Sequence, residues 1–242
     1  MGGYGDVQLL REDGLRLDGR KVDELRNVEI EAGILPVADG SAKVVWGKNV
    51  AIAAVYGPME AHPRKISRED RAILDVRYNM APFSTSDRIR PGFNRRSREI
   101  SKVTAEAFES VVQVELYPRA KIRVEIEILC AEAGTRCVGM TAASVALADA
   151  GIPMRDMLVS VASGKVNDTV VLDLDKAEDN YGQADLPVGI LPNTREIAFL
   201  QMDGDLSPDE YNLAMEYNFK AAEEIHKLQV EALKNRNGGG DS

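Results

Sequence analysis

Residues 120–151 read AKIRVEIEILCAEAGTRCVGMTAASVALADAG, and this stretch decides the fold class. Ile122, Val124, Ile126 and Ile128 alternate with Arg123, Glu125 and Glu127, the period-two pattern of a half-buried strand. From Thr135 until Gly151 the chain becomes rich in Ala and Val and poor in polar residues, which predicts a largely buried helix. Gly134 stands at the junction.

Upstream, Val28 to Ile34, Ser41 to Trp46 and Val50 to Tyr56 read as short strands, the last two closed by Gly47 and Gly57. A loop rich in Pro and basic residues, Gly57 to Arg71, precedes a strand from Ile73 to Met80 and a polar loop with Pro82, Pro91 and Gly92. Ile100, Val103, Ala107, Val111 and Val114 then recur at helical spacing, predicting a helix from about Arg95 to Leu116 with Asn94 or Ser97 as its cap. Downstream, strands are expected over Asp156 to Ala162, Val170 to Leu174, Val188 to Leu191 and Ile197 to Met202. Ser207-Pro208-Asp209-Glu210 opens a last helix, expected to reach about Lys234. Short strands with local turns, interrupted by single helices, indicate an α+β fold with mixed sheets. Strands followed by helix recur twice, over roughly residues 20–117 and 118–234, without a Gly/Ser linker between them. One globule over 1–234 is expected, with a Gly-rich, disordered tail over 235–242.

The chain has 242 residues and is 44% hydrophobic, enough for a sizeable core. No stretch approaches the ~18 uncharged apolar residues of a membrane helix, and Met1 to Arg20 lacks the apolar block of a signal peptide. A soluble, cytoplasmic protein without a membrane partner is expected. Cys130 and Cys137 are too few for a disulfide framework or a four-ligand zinc site, and read as buried small apolar residues. His62 and His226 lie far apart, outside any Cys/His cluster. The net charge is −9, but it is segregated. Ala61 to Lys102 holds eleven Lys and Arg against five Asp and Glu, while the remainder holds nineteen basic and thirty-four acidic residues. Such a segment suits a phosphate-rich ligand and equally a solvated, salt-bridged loop.

Three constellations carry chemistry. Arg95-Arg96-Ser97 puts two guanidiniums at a helix start, where they add to the helix dipole and free N–H groups as an anion site; it also reads as an ordinary surface arginine pair. Gly134-Thr135-Arg136, between strand and helix, lets the backbone approach an anion and adds a hydroxyl and a bidentate fork; it also reads as a glycine turn with a threonine cap. The acidic run Asp173, Asp175, Glu178, Asp179 and Asp185 offers hard oxygens for Mg²⁺, or a carboxyl that protonates a leaving oxygen, and by itself also reads as a polar turn. Asp185 stands in an apolar setting of Ala184, Leu186, Pro187 and Val188, which favours burial. Nucleophile-elbow serine, Cys–His pair and P-loop patterns are missing, so inorganic phosphate itself could be the nucleophile.

Together these motifs resemble the ribonuclease PH family, and within it the catalytic, ribonuclease PH-like subunits of archaeal exosomes. The carriers are Arg16-Leu17-Asp18-Gly19-Arg20-Lys21, Tyr56-Gly57-Pro58 through His62-Pro63-Arg64, Tyr78-Asn79-Met80-Ala81-Pro82-Phe83-Ser84, Arg95-Arg96-Ser97-Arg98-Glu99, Ala133-Gly134-Thr135-Arg136, Glu178-Asp179 and Ala184-Asp185. The resemblance spans Gly14 to about Lys234. It implies a ribonuclease PH-type fold of two βαβα-like halves with mixed sheets packed by helices, like the second domain of ribosomal protein S5. It also implies a phosphorolytic 3′→5′ exoribonuclease that uses inorganic phosphate and Mg²⁺, releases nucleoside 5′-diphosphates and runs in reverse to add 3′ tails. Arg96, Gly134, Thr135 and Arg136 would bind phosphate, Asp179 and Asp185 would place Mg²⁺ with Asp185 as general acid, and Arg64, Lys65 and Arg95 would hold RNA. The implied partners are RNA, an inactive paralogue alternating in a hexameric ring, and RNA-binding cap proteins. Ala133 stands where bacterial ribonuclease PH usually has a second Gly, which makes the homohexameric tRNA-trimming enzyme the more distant relative. A non-catalytic RNA-binding ring subunit and a hydrolytic two-metal nuclease are the competing readings.

Overall fold

The computed structural model describes residues 7–92 and 94–238. The first sheet holds β1 (Val28–Ala32), β2 (Gly40–Trp46), β3 (Asn49–Glu60), β4 (Ile73–Met80) and β5 (Ala120–Cys130), in the order β1-β2-β3-β5-β4. Its strands pair antiparallel except β4 and β5, which run parallel and are joined through helix α1 (Arg95–Glu109). Helix α2 (Thr135–Asp149) follows. The second sheet is antiparallel and comprises β6 (Val159–Val166), β7 (Thr169–Leu172), β8 (Ala184–Leu191), β9 (Glu196–Leu200) and β10 (Asp203–Gly204), with the short helix α3 (Lys176–Tyr181) between β7 and β8. Helix α4 (Pro208–Gly238) closes the fold. The expected α+β class with mixed sheets is the one the chain adopts.

Helix α2 packs against β2, β3 and β5 of the first sheet and against β6 and β8 of the second. A helix between two sheets has no solvent face. Twelve of its residues are accordingly buried, and its Ala, Gly, Ser and Thr side chains let both sheets come close. Helix α4 covers β6, β7 and β8 and reaches back to β1, while α1 packs on β4 and β9.

Several boundaries differ from the sequence pattern. Helix α1 stops at Glu109, with Ser110 as its C-cap, before Val111 and Val112. The chain extends there, with Val112 bridging Met154, and makes one 3₁₀ turn at Val114–Leu116. The strand expected from Asp156 starts at Val159, since the Asp156 carboxylate is occupied by the N–H groups of Met157 and Asn193 and by the Asn193 amide. The expected acidic turn contains α3, started by a capping box in which Asp175 accepts from Ala177 and Glu178 N–H and Glu178 accepts from Asp175 N–H. Helix α4 continues past Lys234 through part of the expected tail, and residues 239–242 lie outside the described residues. Cys137 is buried as expected, but Cys130 is exposed at the end of β5. Among the described residues, no helix is long and apolar enough to cross a membrane.

Two buried ion pairs stand out: one ties the two sheets together and the other ties an N-terminal segment to α3. Asp173, just after β7, accepts from the backbone N–H, Nε and Nη2 of Arg26 at 2.8, 3.0 and 2.6 Å and from Trp46 Nε1 of β2 at 2.9 Å. Arg16 is fully buried; it pairs with Glu178 of α3 and donates to the carbonyls of Leu172 and Asp173 at 2.5 and 2.9 Å. Burial alone would raise the Asp173 carboxyl, but the donors and charge of Arg26, with Trp46, hold it below the usual carboxylate range.

Asp173→Ala is expected to cost about 3–5 kcal/mol in urea denaturation, because Arg26 is left buried without its counter-charge. A depressed folded pKa contributes stability above the unfolded carboxylate range, near pH 4, and loses it as the pH falls through the folded value. The deficit of the variant should therefore shrink below about pH 4.

Candidate active site

The N-terminus of α1 is set by Asn94, whose side chain accepts from Ser97 N–H at 2.8 Å. The next residues, Arg95 and Arg96, form the first turn. Arg96 lines a cleft of about 400 Å³ and makes no hydrogen bond or ion pair among the described residues. Arg95 is exposed and does not line that cleft.

The opposite wall comes from the junction that follows β5. Gly134 has φ +73°, a conformation that L side chains rarely adopt. The carbonyl just before it, on Ala133, accepts from Asn49 Nδ2 at 2.6 Å and Arg26 Nη2 at 3.3 Å, so the turn is pinned from β3 and from the Arg26–Asp173 pair. Thr135 is buried and its Oγ1 accepts from the Tyr78 hydroxyl at 2.8 Å. The threonine proton therefore remains free to donate into the cleft. Arg136 points across to Glu99 at 3.1 Å and stacks over Phe199, 5.8 Å from the ring centroid. Only its Nη2 is engaged, and Nε and Nη1 have no hydrogen-bond partner among the described residues.

The floor carries the carboxylates. Asp179 projects from α3, whose orientation is held by the neighbouring Glu178–Arg16 pair. Asp185 sits on β8, opposite Gly164 of β6 and Asp203 of β10. A Cβ on Gly164 would fall 2.3 Å from the Ala184 carbonyl, so only glycine lets β6 lie this close beneath Asp185. Burial, then the charge of Asp179, pushes the Asp185 carboxyl up to about 7 against the pull of Arg136 and Arg96. Burial also raises Asp179, opposed by Arg96 and Arg26.

The tertiary structure thus brings Arg96, Gly134, Thr135, Arg136, Asp179 and Asp185 to one cleft. The remaining acidic candidates have other work: Asp173 holds Arg26, Glu178 holds Arg16, and Asp175 caps α3. Arg64 and Lys65 lie exposed on a 3₁₀ turn (Arg64–Ile66) outside the cleft, with Arg64 paired to Glu60. Glu99, Gln201 and Asp203 were not legible as site residues; only the fold places them beside Arg136 and Asp185. Among the described residues no group of three or more His, Cys, Asp or Glu could hold a metal ion.

The domain 1 and domain 2 signatures of the RNase PH 3′ exoribonuclease family match residues 24–153 and 156–221. The chain belongs to this family. It is 54% identical over 236 residues to the exosome complex component Rrp41 of Thermococcus onnurineus, covering 98% of this chain and 95% of that one. The Rrp41 components of Thermoplasma acidophilum and Methanopyrus kandleri are 54% and 53% identical, covering 95% and 96% of this chain and 93% and 97% of theirs. In solved structures the fold recurs in rice Rrp46, with TM-score 0.81 at 21% identity over 90% of this chain and all of that one. It recurs also in the Archaeoglobus fulgidus exosome with RNA bound to the active site, with TM-score 0.76 at 23% identity over 89% and 92% of the two chains. At these identities the structures speak for the fold. The α1 and α2 arginines lie in the domain 1 match and both aspartates in the domain 2 match, so residues of both matched segments line the cleft.

A raised folded pKa means that Asp185 costs stability once the pH exceeds the unfolded carboxylate range, and the cost is full above about 7. Asp185→Asn is expected to raise stability at pH 8 by about 1–3 kcal/mol, with the gain vanishing near pH 4. Thermal melts of both proteins at the two pH values check this.

Proposed function

We propose that this chain is the catalytic ribonuclease PH-type subunit of an exosome core ring, shortening RNA from its 3′ end with inorganic phosphate. The observation that carries the reading is the cleft itself. Arg96, whose side chain has no hydrogen-bond partner among the described residues, and a half-engaged Arg136 share the cleft with Asp179 and with Asp185, whose carboxyl burial pushes up to about 7. The first pair suits an anion and the second a proton donor beside another carboxyl group. The identity to archaeal Rrp41 components over nearly the whole chain supports the exosome assignment.

Inorganic phosphate is held by Arg96, the Thr135 hydroxyl, the N–H groups after Gly134 and the unengaged N–H groups of Arg136. One of its oxygens attacks the last phosphodiester. The bond from that phosphorus to the 3′-oxygen of the preceding nucleotide breaks, Asp185 gives its proton to that oxygen, and a nucleoside 5′-diphosphate leaves. The guanidiniums offset charge on the crowded phosphates. Bonds made and broken are alike, so excess nucleoside diphosphate drives tail addition.

The residues fit Mg²⁺, which takes one or two carboxylates and completes its shell with phosphate oxygens and water. Asp179 and Asp185 repel each other across the cleft, a repulsion that a cation between them would relieve. Asp179 is the better ligand and Asp185 the better proton carrier, because Asp179 feels Arg96 and Arg26 while Asp185 feels Asp179 first among the charges. The cation would supply further charge neutralisation on the phosphates. The exposed Arg64, Lys65 and Arg95 would hold the RNA backbone without reading bases. An inactive paralogue would alternate with this chain in a hexameric ring, with RNA-binding cap proteins as further partners, working in the cytoplasm.

Incubation of labelled RNA with and without phosphate tests the reading. Nucleoside diphosphates formed only with phosphate are expected; monophosphates formed regardless of phosphate would refute it. Asp185→Ala should lower kcat by about 10²–10⁴. Because the acid form is required, trimming should slow as the pH rises past about 7.

A further inference from the structure

Glu99 lies one turn along α1 from Arg96 and bonds to two residues that line the cleft from other elements, Arg136 and Gln201. Its Oε2 accepts from Arg136 Nη2 of α2 at 3.1 Å. Its Oε1 accepts from the same Nη2 at 3.4 Å and from Gln201 Nε2, between β9 and β10, at 3.3 Å. Phe199 supports the flat of the guanidinium. An arginine on a helix start has many rotamers of similar energy, and one anchored end removes most of them. The anchor is made through Nη2 alone and leaves the Nε–H and Nη1–H groups as donors for phosphate oxygens.

We infer that Glu99 is a positioning residue that presents the unengaged N–H groups of Arg136 to inorganic phosphate and thereby sets the affinity for phosphate. The inference rests on the phosphorolytic reading. It has a sign that charge alone would not give. Glu99 adds negative charge beside an anion site, so by Coulomb's law its removal should tighten phosphate binding. Positioning demands the reverse: a more positive but less ordered cleft that binds phosphate more weakly.

The test measures trimming of a labelled RNA against phosphate concentration, using the full chain with its ring partners as wild type, Glu99→Ala and Glu99→Gln. Glu99→Ala is expected to raise KM for phosphate roughly five- to tenfold with kcat within about twofold. Glu99→Gln keeps an oxygen for Arg136 and should recover most of the loss. Phosphate KM unchanged or lowered in Glu99→Ala would overturn the inference, as would a fall in kcat and melting temperature with phosphate KM unmoved. A wild type that trims without regard to phosphate would overturn the phosphorolytic reading and this inference together. A phosphate-dependent wild type with indifferent variants would overturn this inference alone.

Discussion

The buried Arg26–Asp173 pair is the constraint on which the site depends. Asp173 leaves the second sheet at the end of β7, and Arg26 enters the first sheet just before β1. Their bonds, with the Trp46 indole donating to the same carboxylate, fix the separation of the two sheets. Arg26 also reaches the Ala133 carbonyl, so the pair sets the turn that presents Gly134, Thr135 and Arg136. A buried ion pair is weak as a source of net stability, since two charges must first be dehydrated. Its value here is geometric: an apolar replacement of equal volume would not pin a carbonyl.

The second buried pair does the same for the carboxylates. Arg16 comes from a segment ahead of both sheets and grips Glu178, the residue before Asp179. Asp179 therefore stands on a helix of six residues that would be marginal alone, held by a capping box and one salt bridge. Asp185 needs no such aid because β8 is paired on both sides. Rigid placement of both groups explains how two carboxylates can be kept close enough to repel. Burial first, with that repulsion added, raises the Asp185 pKa, and a carboxyl near neutrality can hold a proton or give it up.

Much of this was legible in the residues, for identifiable reasons. The alternation over Ile122–Ile128 and the apolar run after Thr135 are local patterns, and β5 and α2 appear where those patterns stand. The six cleft residues were legible because glycine, arginine and aspartate at element junctions carry chemistry in their types. The acidic run was harder to sort. Five carboxylates in one stretch look alike in sequence, yet Asp173, Asp175 and Glu178 serve the fold while Asp179 and Asp185 face the cleft. The early end of α1 was hidden for a similar reason: the stripe through Val111 and Val114 fits a helix, but the chain there leaves the helix and Val112 forms a β-bridge with Met154.

The sequence by itself determined the element types and the chemical inventory, because hydrophobic period and side-chain functional groups are local properties. The tertiary structure alone decided which charges neutralise one another and which remain unspent. Glu99 and Gln201 are unremarkable in sequence, separated by about a hundred residues, and become partners through the packing of α1 on β9. The distribution of buried partners leaves the Arg96 side chain without a hydrogen bond among the described residues and pushes the Asp185 carboxyl up to about 7, and that depends on distances across two sheets which no local pattern encodes.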